Sequence, residues 1–217
     1  MTSEVVGSVI ILFVITLTVG MLFVYAQPVL FKSKDSLLEK DAYFTMLDIN
    51  EKINQVRFGM EPTAMIKLHL TDYSVTLRNE PVITVNGTSY NVSSIVFFGD
   101  TWEMVMENGA IIGKWNDNAL ILSSPPVYFN GKTLTMPVIS FNGSVSGGGR
   151  GYLTLTISQE NVTVIKTGPS EIRIKSTYYE VWREVFQDLG LSPSVSGDEV
   201  RVVVDNSYIV LYQVRIG

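Results

Sequence analysis

Residues 1–31 form an almost uninterrupted apolar run, in which Glu4 is the only charged residue. At a rise of 1.5 Å per residue, roughly 20 helical residues cross a hydrocarbon core of about 30 Å, so the run predicts a helix of membrane-spanning length. A cleaved secretory signal would need a basic first segment and a small-residue cleavage site, and this run contains neither. We therefore expect the apolar segment to stay on the protein.

The chain becomes amphipathic after Pro28. No Gly or Pro interrupts residues 29–58, where charged residues are interspersed with an apolar set: Leu37, Phe44, Leu47, Ile53 and Val56. This pattern predicts that the helix resumes after Pro28 and ends at Gly59, with Arg57 in its last turn. Pro28 should bend or break the helix locally, because a proline removes one backbone hydrogen bond.

From Ala64 onward, the apolar pattern changes to short β-branched and aromatic runs with a period of two. Turn-forming Asn-Gly pairs separate many of these runs: Asn86-Gly87, Asn108-Gly109, Asn130-Gly131 and Asn142-Gly143. The predicted fold class is α+β, with the long N-terminal helix in residues 1–60 and an antiparallel β-sandwich-like head in residues 61–217. Within the helix, residues 1–31 are the apolar assembly or membrane segment.

One short helix interrupts the strands of the head. Its apolar residues follow helical spacing: Tyr178, Trp182, Val185, Phe186 and Leu189. Thr177 and Glu180 have the spacing of a capping box, and Gly190 is placed to end the helix. An aromatic stripe of this kind could form a ligand cage, but it more often packs in a protein core, which is the interpretation that we favour.

The charges that flank the apolar run disagree with the sequence motifs of the head. Lys32 and Lys34 follow the run and no basic residue precedes it, which by the positive-inside rule would place the head in the cytoplasm. The head nevertheless contains four N-glycosylation sequons, which favour export: Asn86, Asn91, Asn142 and Asn161. Such triplets also occur by chance, without glycosylation, in strands and turns that are rich in Thr and Asn. The disagreement disappears if a short basic leader is removed just upstream of Met1, leaving a free amine near Glu4.

The opening residues Ser3-Glu4-Val5-Val6-Gly7, followed by Ser8-Val9-Ile10-Ile11-Leu12, resemble the class III signal segment and N-terminal helix of archaeal type IV pilins, relatives of archaeal flagellins. The resemblance covers about the first fifty residues. It implies cleavage by a prepilin peptidase, insertion in the membrane before assembly, and incorporation by an assembly machinery into an extracellular filament. The filament would be a homopolymer, bundled through the N-terminal helices and displaying a glycosylated β head for adhesion. The basic leader of the family is not visible in this sequence.

Five residues are candidates for a role in assembly: Glu4, Gly7, Ile11, Gly20 and Pro28. In a filament, Glu4 of one subunit could pair with the N-terminal amine of the next, although a carboxylate that simply caps its own helix is an alternative. Small residues such as Gly7 and Gly20 allow helix backbones to approach closely, and Ile11 supplies aliphatic surface.

Composition and the remaining motifs argue against other functions. The chain has no Cys, and its formal net charge of −5 argues against a nucleic-acid partner. His69 is the only histidine and is expected on the exposed phase of a strand, and the glycine-rich residues 147–151 are expected to form a mobile hairpin tip rather than a phosphate loop. We expect no enzyme activity, metal or cofactor. The alternative to a filament subunit is a membrane-anchored surface protein, such as a stator, minor pilin or adhesin.

Overall fold

The structure is a computed structural model that describes the backbone of residues 2–217 and the side chains of residue 7, residues 11–27 and residues 29–217. The fold is α+β, as predicted: a single long helix, α1 (Thr2–Arg57), precedes a β-rich head. The head contains one further helix, α2 (Tyr179–Asp188). Its strands are β1 (Thr63–Thr71), β2 (Ser74–Arg78), β3 (Val82–Val85), β4 (Thr88–Asn91), β5 (Ser94–Phe98), β6 (Trp102–Glu107), β7 (Ala110–Trp115), β8 (Asn118–Ser123), β9 (Tyr128–Phe129), β10 (Thr133–Gly143), β11 (Ser146–Gly147), β12 (Arg150–Thr167), β13 (Ser170–Lys175), β14 (Ser194–Ser196), β15 (Glu199–Val204) and β16 (Asn206–Ile216).

The strands form three sheets, with the orders β1-β12-β16-β10-β9, β11-β2-β5-β6-β7-β8 and β14-β15-β13-β3-β4. Neighbouring strands are antiparallel except for β10 and β16, which pair in parallel over their whole length. This parallel pair differs from the purely antiparallel arrangement that the sequence predicts. It arises because β16 enters the first sheet between β10 and β12, two strands that are distant from it in sequence.

Helix α1 continues through Pro28 without a break, because proline lacks only its own N–H and the surrounding helical hydrogen bonds remain. The helix ends where the sequence predicts. Gly59 has a φ of 71°, and the amides of Gly59 and Met60 donate to the carbonyls of Val56 and Gln55, which is the Schellman arrangement.

The second half of α1 packs on the head and supplies part of its core. The side chains on its buried face are at most 1% exposed: Ala42, Met46, Ile49, Ile53 and Val56. They pack with residues such as Leu68 of β1 and Leu155 of β12 in one apolar cluster. The sequence correctly identified Ile53 and Val56 as part of the apolar face. Leu37 and Phe44, by contrast, lie on the outer face and are exposed.

Helix α2 packs its aromatic residues into the core, as predicted, since Tyr178, Trp182 and Phe186 are at most 3% exposed. The predicted capping box is wrong. The helix starts at Tyr179 without a side-chain cap, and the Thr177 hydroxyl instead donates to Oε2 of Glu80 at 2.9 Å. The predicted end of the helix is confirmed at Gly190, which has a φ of 80°.

Two of the four Asn-Gly pairs form the predicted two-residue hairpin turns, Asn86-Gly87 between β3 and β4 and Asn108-Gly109 between β6 and β7. Asn142-Gly143 does not form a turn but ends β10. Gly143 lies against β16 so closely that an added Cβ would sit 1.8 Å from the carbonyl oxygen of Ile216. The predicted hairpin tip at residues 147–151 is also wrong, because β11 adds to β2 as a short edge strand.

Candidate assembly surface

Polar contacts fix the point at which α1 leaves the head. The Lys34 ammonium lies 2.8 Å from the Asp72 carboxylate, and the Thr101 hydroxyl donates to Asp35 at 3.3 Å. About two turns further along the helix, the Asp41 carboxylate accepts hydrogen bonds from the hydroxyls of Thr71 at 3.0 Å and Tyr73 at 3.3 Å. These contacts begin the docked section of the helix, residues 34–57.

Asp72 is the electrostatic centre of this junction. It accepts two hydrogen bonds from the Arg150 guanidinium, at 2.9 and 3.0 Å, in addition to its contact with Lys34. These hydrogen bonds, first from Arg150 and then from Lys34, lower the pKa of the Asp72 carboxyl to about 2. The carboxylate is therefore ionised throughout the physiological pH range, and it links α1 to the start of β12.

Before the junction, residues 11–33 form a free section in which every described side chain is exposed. The large apolar side chains from Ile11 to Phe31 are between 44% and 77% exposed and lie on all sides of the helix. By length and composition this helix could cross a membrane. A helix that is apolar all round is stable only in lipid or in contact with other apolar helices.

Two hydroxyl groups of the free section are satisfied within the helix. The hydroxyls of Thr16 and Thr18 donate to the carbonyls of Leu12 and Val14, each at 2.8 Å. These bonds leave an apolar outer surface. At Gly7 and Gly20, no atom of the described structure lies within 4 Å of an added Cβ, so both positions are open to a neighbouring helix.

A line of exposed apolar side chains, which we call the seam, runs from the free section onto the docked section. The seam consists of Phe23, Leu30, Leu37 and Phe44, which are spaced by seven residues and are 63–68% exposed. Residues seven apart lie on the same face of a helix, here the face turned away from the head. The seam therefore places an exposed apolar side chain at every second turn of the helix, on both sides of Lys32 and Lys34.

Of the sequence-predicted assembly residues, the structure leaves Ile11 and Gly20 exposed and Gly7 half-buried. Ile11 is 61% exposed. The side chains of Glu4 and Pro28 lie outside the described residues. From the sequence, Leu37 and Phe44 were predicted only to be apolar positions of an amphipathic helix. Their seven-residue spacing from Phe23 and Leu30 is the signal that could have identified the seam.

The four sequon asparagines are all exposed and lie at separate places on the head. Asn86 lies in the β3–β4 turn and Asn91 ends β4, whereas Asn142 and Asn161 lie in β10 and β12. The amide nitrogen of Asn142 donates to Oε2 of Glu160 at 3.2 Å, a bond that a glycan at Nδ2 would have to replace. The positions are compatible with glycan attachment.

We predict that the four sequons carry sugar in protein isolated from its native cells. The expected result follows from their exposure, which lets a bulky glycan project into solvent. Mass spectrometry of proteolytic peptides, before and after enzymatic or chemical removal of glycans, measures the occupancy of each site. Four unmodified asparagines would remove the main support for export.

The head contains one strongly perturbed acid that the sequence analysis missed. Glu107 is fully buried at the end of β6 and accepts hydrogen bonds from the Ser176 hydroxyl and from the Trp182 indole N–H at 2.9 Å. Burial raises the pKa of Glu107 to about 7. Its contacts connect the β6–β7 hairpin to α2.

His69 has the exposed strand position that the sequence predicts. His69 is exposed on β1, and its ring stacks on that of Tyr152 with 4.9 Å between ring centres. Among the residues that the structure describes, no group of three His, Asp or Glu side chains could hold a metal ion. The expectation that the chain is not an enzyme stays a prediction.

Comparisons with known proteins connect the helix and the head in one family. The model of a family described as "Family of unknown function (DUF7289)" matches residues 2–216. An uncharacterized protein of Archaeoglobus fulgidus is 22% identical in an alignment that covers 85% of this chain and 80% of the relative. No solved structure matches the chain. The family match spans both parts of the molecule, so the long helix is matched together with the head.

Proposed function

The chain belongs to the DUF7289 family, and we propose that it is a structural subunit of an extracellular type IV pilus-like filament. In this proposal the free sections of many copies bundle together, and each copy displays its glycosylated head for adhesion or surface interaction. The combination of a long apolar N-terminal helix and a β head is consistent with a pilin-like architecture. The helix would lie in the membrane before assembly. A prepilin peptidase would cleave the chain, and an assembly machinery would then incorporate the subunit into the filament.

The seam is the observation that carries this proposal. Lys32 and Lys34 favour an interface with water at the end of the free section, because lysines rarely lie in the hydrocarbon core. Leu37 and Phe44 lie beyond those lysines, next to the head, and are 67% and 63% exposed. A bilayer that ends near Lys32 cannot cover them. The helices of neighbouring copies can cover the whole seam, and each buried side chain of this size contributes about 1.5–3 kcal/mol.

The alternative function is a membrane-anchored surface protein that does not form the filament body. The length of the helix before the junction favours it, since the 32 residues from Thr2 to Ser33 extend about 48 Å and so can cross a hydrocarbon core of about 30 Å. The two functions differ in what covers Leu37 and Phe44: a neighbouring helix in the filament, and water in the anchored monomer.

Charged substitutions in the seam test the proposal. We expect the double variant Leu37→Lys/Phe44→Lys to abolish filaments, because two charges would be buried at the helix contact. Its amount in the membrane fraction should stay unchanged, because both residues lie outside the apolar run of residues 1–31. Negative-stain microscopy of material sheared from cells counts the filaments, and immunoblots of membrane fractions measure insertion.

Two further variants make the measurement specific. Val203→Lys changes a side chain on β15 that is 63% exposed, and it should leave filament number unchanged. Ile11→Lys, in the middle of the apolar run, should reduce both filament number and membrane insertion. Normal filament yield from the seam variant would show that the seam is not the contact between helices. No filaments from the unaltered chain would contradict the filament function and favour the anchored protein.

A further inference from the structure

Strand β12 has an edge that is paired over only half of its length. Residues Arg150 to Ser158 pair with β1 on one side, but β1 begins at Thr63, opposite Ser158. On the other side, β12 pairs with β16 as far as Thr167. Within residues 2–217, no strand pairs with the outer side of residues 160–167, which we call the open edge.

The open edge has the properties of a docking strand. An unpaired strand presents a row of free N–H and C=O groups, and natural sheets usually block such edges with lysines, prolines or short length. This edge contains no proline and has a single lysine, Lys166, near its end. Val162 and Val164 are 38% and 61% exposed, so apolar side chains are available along with the backbone groups.

The sequence of the open edge is complementary to itself in an antiparallel arrangement. A pairing centred on Thr163 places Val162 of each copy opposite Val164 of the other, and Glu160 opposite Lys166. Glu160 keeps Arg215 as a partner within its own chain, at 2.5 Å. The arrangement has the two-fold symmetry of an isologous dimer contact, in which both copies use the same surface.

Asn161 lies in the middle of this contact. It is exposed and follows the irregularity in register between Gln159 and Asn161, and it begins the sequon Asn161-Val162-Thr163. Paired strands lie about 4.8 Å apart, and a glycan on Asn161 is too bulky for a second strand to approach to that distance.

We propose that the open edge is a docking site for the same edge of a second copy, and that an N-glycan on Asn161 keeps this site closed. The glycan depends on the export that the proposed function requires, whereas the pairing of unglycosylated chains does not.

The absence of cysteine from the chain allows a direct test of the pairing. Full-length Thr163→Cys is made in a bacterial host without N-glycosylation and is oxidised in detergent. Opposite residues in antiparallel strands have Cα atoms about 4.5–5.5 Å apart, a distance that a disulfide can bridge. We expect a disulfide-linked dimer to form at least tenfold faster than from the control Gln213→Cys, which is exposed on β16 at a position paired with both β10 and β12. Equal rates for the two variants would overturn the docking site.

A second comparison tests the glycan, using full-length protein from a host that glycosylates the sequons. In detergent, the unaltered chain and Thr163→Ser, which keeps the sequon, should be monomers by light scattering. Asn161→Gln should dimerise, and adding Val164→Lys to it should restore the monomer. A monomeric Asn161→Gln, or an Asn161 without sugar in the native protein, would overturn the role of the glycan. Either outcome is distinct from failure of the filament proposal, which is decided by whether the unaltered chain forms filaments.

Discussion

In protein from a host that glycosylates the sequons, removal of residues 1–31 is expected to give a soluble, folded monomer, whereas removal of residues 1–60 is expected to unfold the head. The shorter deletion removes nearly all of the exposed apolar surface of α1 but leaves the docked section on the head. The longer deletion also removes five side chains that are at most 1% exposed, from Ala42 to Val56. A single large buried side chain contributes about 2–5 kcal/mol, and a whole domain has a net stability of only about 5–15 kcal/mol.

Circular dichroism and analytical size-exclusion chromatography of the two fragments measure this difference. Ile49→Asp in the 32–217 fragment provides a matched point variant at the centre of the buried face, and Phe44→Asp provides its control on the exposed face. We expect Ile49→Asp to unfold the fragment and Phe44→Asp to change its stability by less than about 1 kcal/mol. A folded, monomeric 61–217 fragment would show instead that the strands form a complete core without the helix.

The second large effect concerns Glu107 and the dependence of stability on pH. Burial raises the folded-state pKa of Glu107 to about 7, from its ordinary value of 4.5. Between these two values the folded protein holds a proton that the unfolded chain has released, so stability decreases as pH rises through this window and does not change further above it. The shift corresponds to about 3 kcal/mol.

Glu107→Gln should remove this dependence, because a neutral amide can still accept the Trp182 N–H without carrying a charge. We expect the free energy of unfolding of the variant, relative to the unaltered 32–217 fragment, to increase by about 3 kcal/mol between pH 4.5 and pH 8. Urea unfolding at several pH values, followed by Trp fluorescence, measures the difference. Glu184→Gln, on the exposed side of α2, should show no such change. Parallel pH profiles for Glu107→Gln and the unaltered fragment would show that Glu107 is ionised in the folded state.

Local chemistry determined the features that the sequence predicted correctly. The end of α1 depends on Gly59, whose positive φ is costly for other residues, and the turn at Asn86-Gly87 depends on the same property. The apolar run of residues 1–31 predicts a helix that needs lipid or a neighbouring helix, and the structure leaves its described side chains exposed. These features involve residues close together in the chain, so one segment of sequence contains the necessary information.

Features that depend on distant segments were not predictable in this way. Asn142-Gly143 has the sequence of a turn, but Gly143 is required there because β16 passes so close to it. Thr177 has the spacing of a capping box, but Glu80 of a distant loop takes its hydroxyl. The docked section of α1 contains two apolar stripes, and only the position of the head decides that Met46 and Ile49 are buried while Leu37 and Phe44 remain free.

The position of β16 has a consequence for the order in which the head is made. This strand lies between β12 and β10 and pairs with both of them, yet it is the last of the sixteen described strands to be synthesised. Until it arrives, β1 and β12 on one side share no strand with β10 and β9 on the other. The first sheet therefore closes only after residues 206–216 have left the ribosome and, for an exported chain, crossed the membrane. The apolar helix is synthesised before the head, so it would anchor the chain in the membrane until β16 pairs with β10 and β12.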